Sequence, residues 1–323
     1  MKLTTEKIFT HPLGIIGAAA GATALWGSAY PFIKLSYAEL GIGNDDIYRQ
    51  ILFAGYRFFL ASLLILLFMK LFGKRVSYQS GSLFKVGQVG LYQTLLQYIL
   101  FYYGLSGSTG VQGAIIAGTT SFFQILLAHY MYASDKINVR KLIGLIVGFS
   151  GVVLVGISKG SLSFEFGIAE ICLLLAAFFG ALGNVLSKKA SEQLDVIYMT
   201  AYQMLLGGVA LVAIGAAGAG MMPFEFTATA VWMLLYLALL SAFAFVLWNT
   251  VMKYNKVGSI SMYLFLIPVF GVFLSAILLT EQLHGVVWAA LALVVSGIVI
   301  VNGKRNNSPK QEQAIASGER KVL

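Results

Sequence analysis

Residues 150–155 read SGVVLV, and residues 296–301 read SGIVIV. The two stretches lie 146 residues apart, and the same shift pairs Tyr56 with Tyr202, Leu60 with Leu206, Val111 with Val257 and Leu145 with Leu291. It also sets the acidic turn SDK at Ser134 opposite TEQ at Thr280, so that Asp135 matches Glu281. Nearer the N-terminus, LWGSAYPFIKL from Leu25 is similar to FFGALGNVLSK from Phe178 at a shift of 153, which a longer first outer loop accommodates. Any one match between apolar segments arises easily by chance. Their colinear order across the chain does not.

What repeats is a set of membrane spans. The chain has 323 residues, of which 59% are hydrophobic and only 11% charged, against about a quarter charged in soluble domains. Apolar stretches of about 20 residues, each long enough to cross a ~30 Å hydrocarbon layer as a helix, recur along it. They predict helices over 14–35, 48–71, 83–103, 111–132 and 140–157, then 167–187, 196–217, 229–251, 257–279 and 286–301. The fold class is an all-α polytopic membrane protein, with ten transmembrane helices in two inverted five-helix repeats. Five is odd, so the second unit enters the bilayer upside down relative to the first. Inverted repeats are a plan of secondary transporters, which place the substrate near the midplane between the units.

The organisation follows as an N-terminus over 1–13, a first unit over 14–158, a second over 159–303 and a polar, disordered tail over 304–323. If the N-terminus is cytoplasmic, 18 of the 22 Lys and Arg fall on inner segments, whereas Arg49 and Lys159 alone lie in outer loops. That bias predicts both termini inside a plasma or inner membrane. It also explains the net charge of +9 without nucleic acid. One cysteine, Cys172, and three scattered histidines, His11, His129 and His284, encourage neither a disulfide, a metal site nor a catalytic dyad. No cofactor and no enzyme activity are expected. The expected partners are a small-molecule substrate and the lipid bilayer, and the oligomeric state is not legible.

The motifs ALWGSAYPFIK, YRFFLASLLIL and the paired SGVVLV and SGIVIV endings resemble the drug/metabolite transporter superfamily, and within it the EamA-type members. The turns ASDKINVRK and LTEQLHG are similar to that family's Gly-Glu turn, although the glycine is missing from both and the first acid is Asp135. The resemblance implies an exporter of amino acids or other small metabolites. It further implies a cavity bounded by the first, third, fourth, sixth, eighth and ninth helices, with the fifth and tenth as scaffold. Gly144 and Gly148, four apart on the fifth helix, suit such close packing.

Candidate cavity residues are Gln93 and Gln97, one turn apart on the third span, with Gln112 and the Thr119-Thr120-Ser121 stripe on the fourth. Amides in hydrocarbon need partners, and bonding between helices satisfies that need as well as a ligand does. Hydroxyls also bond back to their own helix. Trp26, Tyr30 and Pro31 on the first span, Asn184 on the sixth, Trp248 and Asn249 on the eighth and Tyr263 on the ninth complete the set. Pro31 and Pro268 each free a backbone carbonyl, which lines a cavity, makes a hinge or leaves a static kink.

Arg57 lies about 14–16 Å into the second span, and its repeat counterpart is Gln203. An arginine at that depth either anchors the bundle, acts as a gate or meets a substrate. The family's common Arg-Phe pair in this helix fits Arg57-Phe58, and because the family's second helix is not chiefly cavity-lining the resemblance favours the anchor or gate for Arg57; its repeat counterpart Gln203 and the kink at Pro268 are candidates for the same role. No Asp or Glu falls near the middle of any span, since Asp135, Glu170, Asp195 and Glu281 all sit at ends. A neutral or zwitterionic cargo moved by alternating access is the leading expectation. A multidrug exporter, a membrane enzyme and a structural subunit are the alternatives.

Overall fold

The computed structural model describes residues 5–107, 116–158, 167–278 and 285–303. Gln112, Lys159, Glu281, His284 and the tail over 304–323 lie outside the described residues. After a short helix Thr5–Thr10, the first unit comprises α1 (Pro12–Glu39), α2 (Ile47–Leu71), α3 (83–106), α4 (Thr120–Met131) and α5 (Val139–Ser158). The second comprises α6 (Ile168–Ser191), α7 (Val196–Ala219), α8 (Ala228–Tyr254), α9 (257–278) and α10 (Val286–Asn302). There is no strand among the described residues. Among the described residues five helices, α1, α2, α6, α7 and α8, are long and apolar enough to cross a membrane.

Two helices are spliced. In α3 a π-helical stretch, Gly90–Leu96, separates α-helical Leu83–Val89 from Gln97–Ser106. In α9 a 3-10 turn, Met262–Phe265, joins Val257–Ser261 to Leu266–Leu278. It ends three residues before Pro268, whose missing N–H leaves the carbonyl of Leu264 without its helical donor. α1, by contrast, runs unbroken through Pro31. The carbonyl that Pro31 frees is that of Gly27, and here α1 crosses α9 so closely that a Cβ on Gly27 would lie 2.9 Å from the backbone nitrogen of Gly271.

The packing obeys the exchange of the two units. α2 runs along α7 and α5 along α10, each helix against its own counterpart. The remaining neighbours come in matched pairs: α3 with α6 and α8 with α1, α4 with α6 and α9 with α1. Gly144 and Gly148 meet Gly297 at the α5–α10 crossing, where a Cβ on Gly297 would lie 2.7 Å from the Gly144 carbonyl. Large apolar side chains such as Leu67, Trp232 and Phe243 face outward. Polar side chains such as Gln93, Gln124, Gln203 and Asn249 are buried. That inside-out distribution is what a lipid solvent selects.

Hydrogen bonds at the ends of α2 and α7 repeat the exchange. Tyr202 on α7 donates to the carbonyl of Val76, in the loop after α2, at 2.7 Å. Its counterpart Tyr56 on α2 donates to the carbonyl of Met221, in the loop after α7. The Arg49 guanidinium at the start of α2 donates to the Pro223 carbonyl at 2.8 Å. Asp195 at the start of α7 answers by accepting from Lys74, in the loop after α2, at 3.1 Å.

Candidate functional site

A chain of four buried side chains links α3, α6, α4 and α9. Gln93 Nε2 on α3 donates to Asn184 Oδ1 on α6 at 2.6 Å. Asn184 Nδ2 donates in turn to Gln124 Oε1 on α4 at 2.7 Å, and Gln124 Nε2 donates to Ser261 Oγ on α9 at 2.8 Å. Ser121 joins by donating to the Ser261 carbonyl at 2.9 Å. α3 and α4 belong to the first unit, and α6 and α9 to the second. Every link in the chain therefore passes from one unit to the other.

Close glycine contacts bring these residues together. The would-be Cβ of Gly183 lies 2.5 Å from Gln93 Cβ, and that of Gly180 lies 2.8 Å from Gln97 Cδ. The two amides on one face of α3 thus both pack on α6. Gln97 has no hydrogen bond among the described residues. Thr94, between them, turns to α7 and donates to Gln203 Oε1 at 2.7 Å. Gln203 Nε2 and Gln93 Oε1 have no partner among the described residues.

Arg57 is 2% exposed. Its Nε donates to Ser241 Oγ on α8 at 2.7 Å, and its guanidinium carbon stands 5.2 Å from the centre of the Phe58 ring. This bond is the counterpart of Thr94 to Gln203, because exchange of the units carries Arg57 onto Gln203 and α8 onto α3. Among the described residues no carboxylate pairs with Arg57. Around it stand the phenols of Tyr30 and Tyr37 from α1 and Tyr98 and Tyr102 from α3, all within electrostatic reach. The hydroxyls of Tyr37 and Tyr102 face the guanidinium and each other, yet neither makes a well-formed hydrogen bond among the described residues.

An aromatic wall joins the two groups. Trp26 packs against Phe245 at 5.0 Å and Trp248 at 5.4 Å, and Phe58 packs against Tyr98 at 4.4 Å between ring centres. The indole N–H groups of Trp26 and Trp248 are buried without partners among the described residues. Asn249 donates to Thr200 Oγ1 at 3.0 Å, and its own Oδ1 has no partner among the described residues. Tyr263 is buried in the 3-10 turn of α9, Pro31 and Pro268 are buried in their helices, and Tyr30 packs on Gly271. Thr119 bonds back to the Ile116 carbonyl within its own segment.

Gln124, Ser241, Tyr37, Tyr98 and Tyr102 are absent from the residues singled out in the sequence. Gln124 follows Ser121 by three and extends the same stripe, and Tyr98 and Tyr102 stand one turn apart. Those spacings were available signals; Ser241 and Tyr37 carry none. The ends of the spans account for the remaining polar groups. Asp135 and Lys141 form a buried pair at 2.5 Å, and Asp135 Oδ2 accepts from the Gly258 N–H at 2.8 Å, which fastens the α4–α5 turn to the start of α9. Glu170 caps α6 by accepting from the Gly167 N–H at 2.8 Å. His11 Nδ1 and His129 Nδ1 accept backbone N–H groups at 3.3 and 3.0 Å.

The profile of the EamA-like transporter family matches residues 13–157 and again 167–303, one match for each unit. The chain belongs to this family. Its relatives include the uncharacterized transporter YoaV of Bacillus subtilis, 28% identical over 88% of this chain and 94% of the relative. An uncharacterized transporter of Archaeoglobus fulgidus is also 28% identical, over 90% of this chain and 95% of the relative. A crystal structure of an unspecified protein, 16% identical, superposes with a TM-score of 0.70 over 88% of this chain and 95% of that one. It shares the fold. The chain is a multi-pass membrane transporter of the drug/metabolite transporter superfamily.

Proposed function

We propose that the protein exports small metabolites, with neutral or zwitterionic solutes such as amino acids as its cargo, by alternating access between the two five-helix units. The observation that carries this reading is the chain from Gln93 through Asn184 and Gln124 to Ser261, whose every bond joins one unit to the other. Rocking the units against each other must break or exchange these bonds, and amides exchange partners at lower cost than buried ions do. Among the described residues the unpartnered atoms of Gln93, Gln203 and Asn249 and the two indoles supply donors and acceptors for a solute. Spans without a midplane carboxylate fit a neutral or zwitterionic solute better than a cation. The lysine and arginine bias supports cytoplasmic termini in a cell membrane.

The test is flux through the purified full-length protein in proteoliposomes. The panel holds neutral, acidic and basic amino acids beside lipophilic cationic dyes. Saturable counterflow of at least one amino acid supports the reading, and inside-out vesicles then give the direction. Movement of the dyes alone would replace it with multidrug export.

A further inference from the structure

We propose that Arg57 is the binding residue for a carboxylate group of the transported solute, held with the phenols of Tyr37 and Tyr102. The inference rests on the transport reading and gives it a chemical requirement, which is one deprotonated carboxyl group on the cargo.

A guanidinium carries five N–H donors and a permanent charge. In this interior, 2% exposed, Arg57 uses its Nε on Ser241. Among the described residues neither Nη pairs with a carboxylate, and the polar group lying against the guanidinium is the Tyr102 hydroxyl. A charge left so in a low-dielectric bundle is costly. The Phe58 ring face at 5.2 Å offsets part of that cost but does not neutralise the charge. The free edge, Nη1 with Nη2, is the one that grips a carboxylate through two parallel bonds. Tyr37 and Tyr102 add two hydroxyls that lie against each other and the guanidinium, without a well-formed hydrogen bond among the described residues. The neighbourhood thus offers donors in excess and a single positive charge.

That count selects the anion. One guanidinium with neutral donors balances a monovalent carboxylate, whereas a phosphate dianion would bring a second charge with no cation to meet it. The exchange of units isolates the feature further. At the equivalent position Gln203 makes the equivalent hydrogen bond, to Thr94 at 2.7 Å, with no charge at all. The bundle therefore closes this joint with an amide in one unit and a guanidinium in the other. A mechanical joint alone has no use for the difference, but an anion-binding group does.

The same comparison supplies the variant. Arg57→Gln installs the residue that the other unit already tolerates, and Arg57→Lys keeps the charge without the bidentate edge. Binding is measured on the full-length protein in detergent by thermal shift. The probes are the standard L-amino acids and short monocarboxylates, each beside its uncharged amide. The expected result is that at least one carboxylate stabilises the wild type, its amide does not, and Arg57→Gln weakens binding by roughly 10- to 100-fold. Arg57→Lys is expected to fall between them. Equal binding of a carboxylate and its amide, or retention of binding in a folded Arg57→Gln variant, overturns the assignment and leaves transport standing. Binding of inorganic phosphate in preference to every carboxylate overturns it as well. If no carboxylate binds, the assignment fails, and flux of the uncharged and cationic solutes decides separately whether transport does. Should Arg57→Gln fail to fold, Tyr37→Phe with Tyr102→Phe takes its place, with at least a threefold loss of affinity (about 0.6 kcal/mol) expected and none overturning the assignment.

Discussion

Asn184→Leu removes the one residue that touches both amides of the central chain. In the wild type Asn184 accepts from Gln93 at 2.6 Å and donates to Gln124 at 2.7 Å. Leucine is close in size and leaves no large void, so the loss is chiefly polar. Gln93 Nε2 loses its acceptor and Gln124 Oε1 its donor, and Gln93 Oε1 is already unpartnered. Scaled from water-soluble proteins, two unpaired buried groups cost about 2–6 kcal/mol. Interhelical bonds in membranes average only ~0.6 kcal/mol, because the separated helices also find partners. The membrane scale governs here, and the expected loss is about 1–2 kcal/mol. Asn184→Asp preserves the shape and the bond from Gln93 but places a carboxylate where exposure is 6%. Its charge costs several kcal/mol, so the isosteric change is predicted to be worse than the apolar one. The assay is the temperature at which the detergent-solubilised protein loses its monodisperse peak, followed across Asn184→Leu, Asn184→Asp and the double variant Gln93→Leu/Asn184→Leu. The double variant removes one of the unpaired amides and should be no less stable than Asn184→Leu. If aspartate is tolerated better than leucine, or leucine costs nothing, the chain is not the sealed polar joint described above.

Three further outcomes follow from contacts nearer the ends of the helices. Asp135→Ala strands a Lys141 that is 7% exposed and leaves the Gly258 N–H unpaired; breaking such a pair costs about 3–5 kcal/mol, and adding Lys141→Met should restore most of the melting temperature. Gly297→Val drives side-chain atoms toward the Gly144 carbonyl and the Gly148 nitrogen, 2.7 and 2.8 Å from the new Cβ, so α5 and α10 must separate and the yield of folded protein should drop sharply. At Asp195 burial acts to raise the carboxyl pKa, but the N–H groups of Tyr198 and Ile197 and the Lys74 ammonium outweigh it and hold the pKa below its usual 3.8. A depressed carboxylate stabilises the fold above its unfolded pKa and loses that contribution as pH falls through the folded one. Asp195→Ala should therefore cost about 1 kcal/mol near neutrality, mostly as a lost helix cap, and the gap to wild type should close below about pH 4.

Much of this architecture is legible in the sequence because a bilayer imposes length and polarity on every span. Apart from the fourth span, predicted from 111 where α4 begins at Thr120 and 108–115 lie outside the described residues, the predicted spans agree with the observed helices to within four residues. α6 runs on to Ser191 against a predicted 187, and the end of α1 is predicted at 35 and observed at Glu39. There the helix continues past Lys34 because Ser36 bonds back to the Phe32 carbonyl at 2.7 Å and Leu40 is buried beyond it. The repeat is legible too, since it is a relation between residues of one chain. What is not legible is convergence. Tyr37 and Tyr102 are 65 positions apart, and nothing local in either says that both hydroxyls face Arg57. The π stretch in α3 is equally silent, because it is set where Gly90 meets the backbone of Gln203, 2.7 Å from a would-be Cβ. That contact belongs to the packing of two units and to neither sequence alone.

The reciprocal bonds also restrict how the two units can move. Tyr202 to Val76 and Arg49 to Pro223 tie α2 and α7 to the loops that follow their counterparts. Tyr56 to Met221 and Lys74 to Asp195 complete the set from the other side. These ties lie at the two ends of one helix pair, and the close contacts of Gly55, Gly208 and Gly215 fill the length between them. A pair held at both ends and packed backbone to backbone does not slide without breaking all of its ties together. The central chain from Gln93 to Ser261 runs instead among α3, α6, α4 and α9, where each joint is a single amide or hydroxyl bond. If the units rock, the α2–α7 and α5–α10 pairs are the hinges and the four polar-lined helices are the moving wall. Arg57 lies on the hinge side of that division and reaches across it to Ser241 on α8. An anion bound to its free edge would couple the occupancy of the site to the joint between a fixed helix and a moving one.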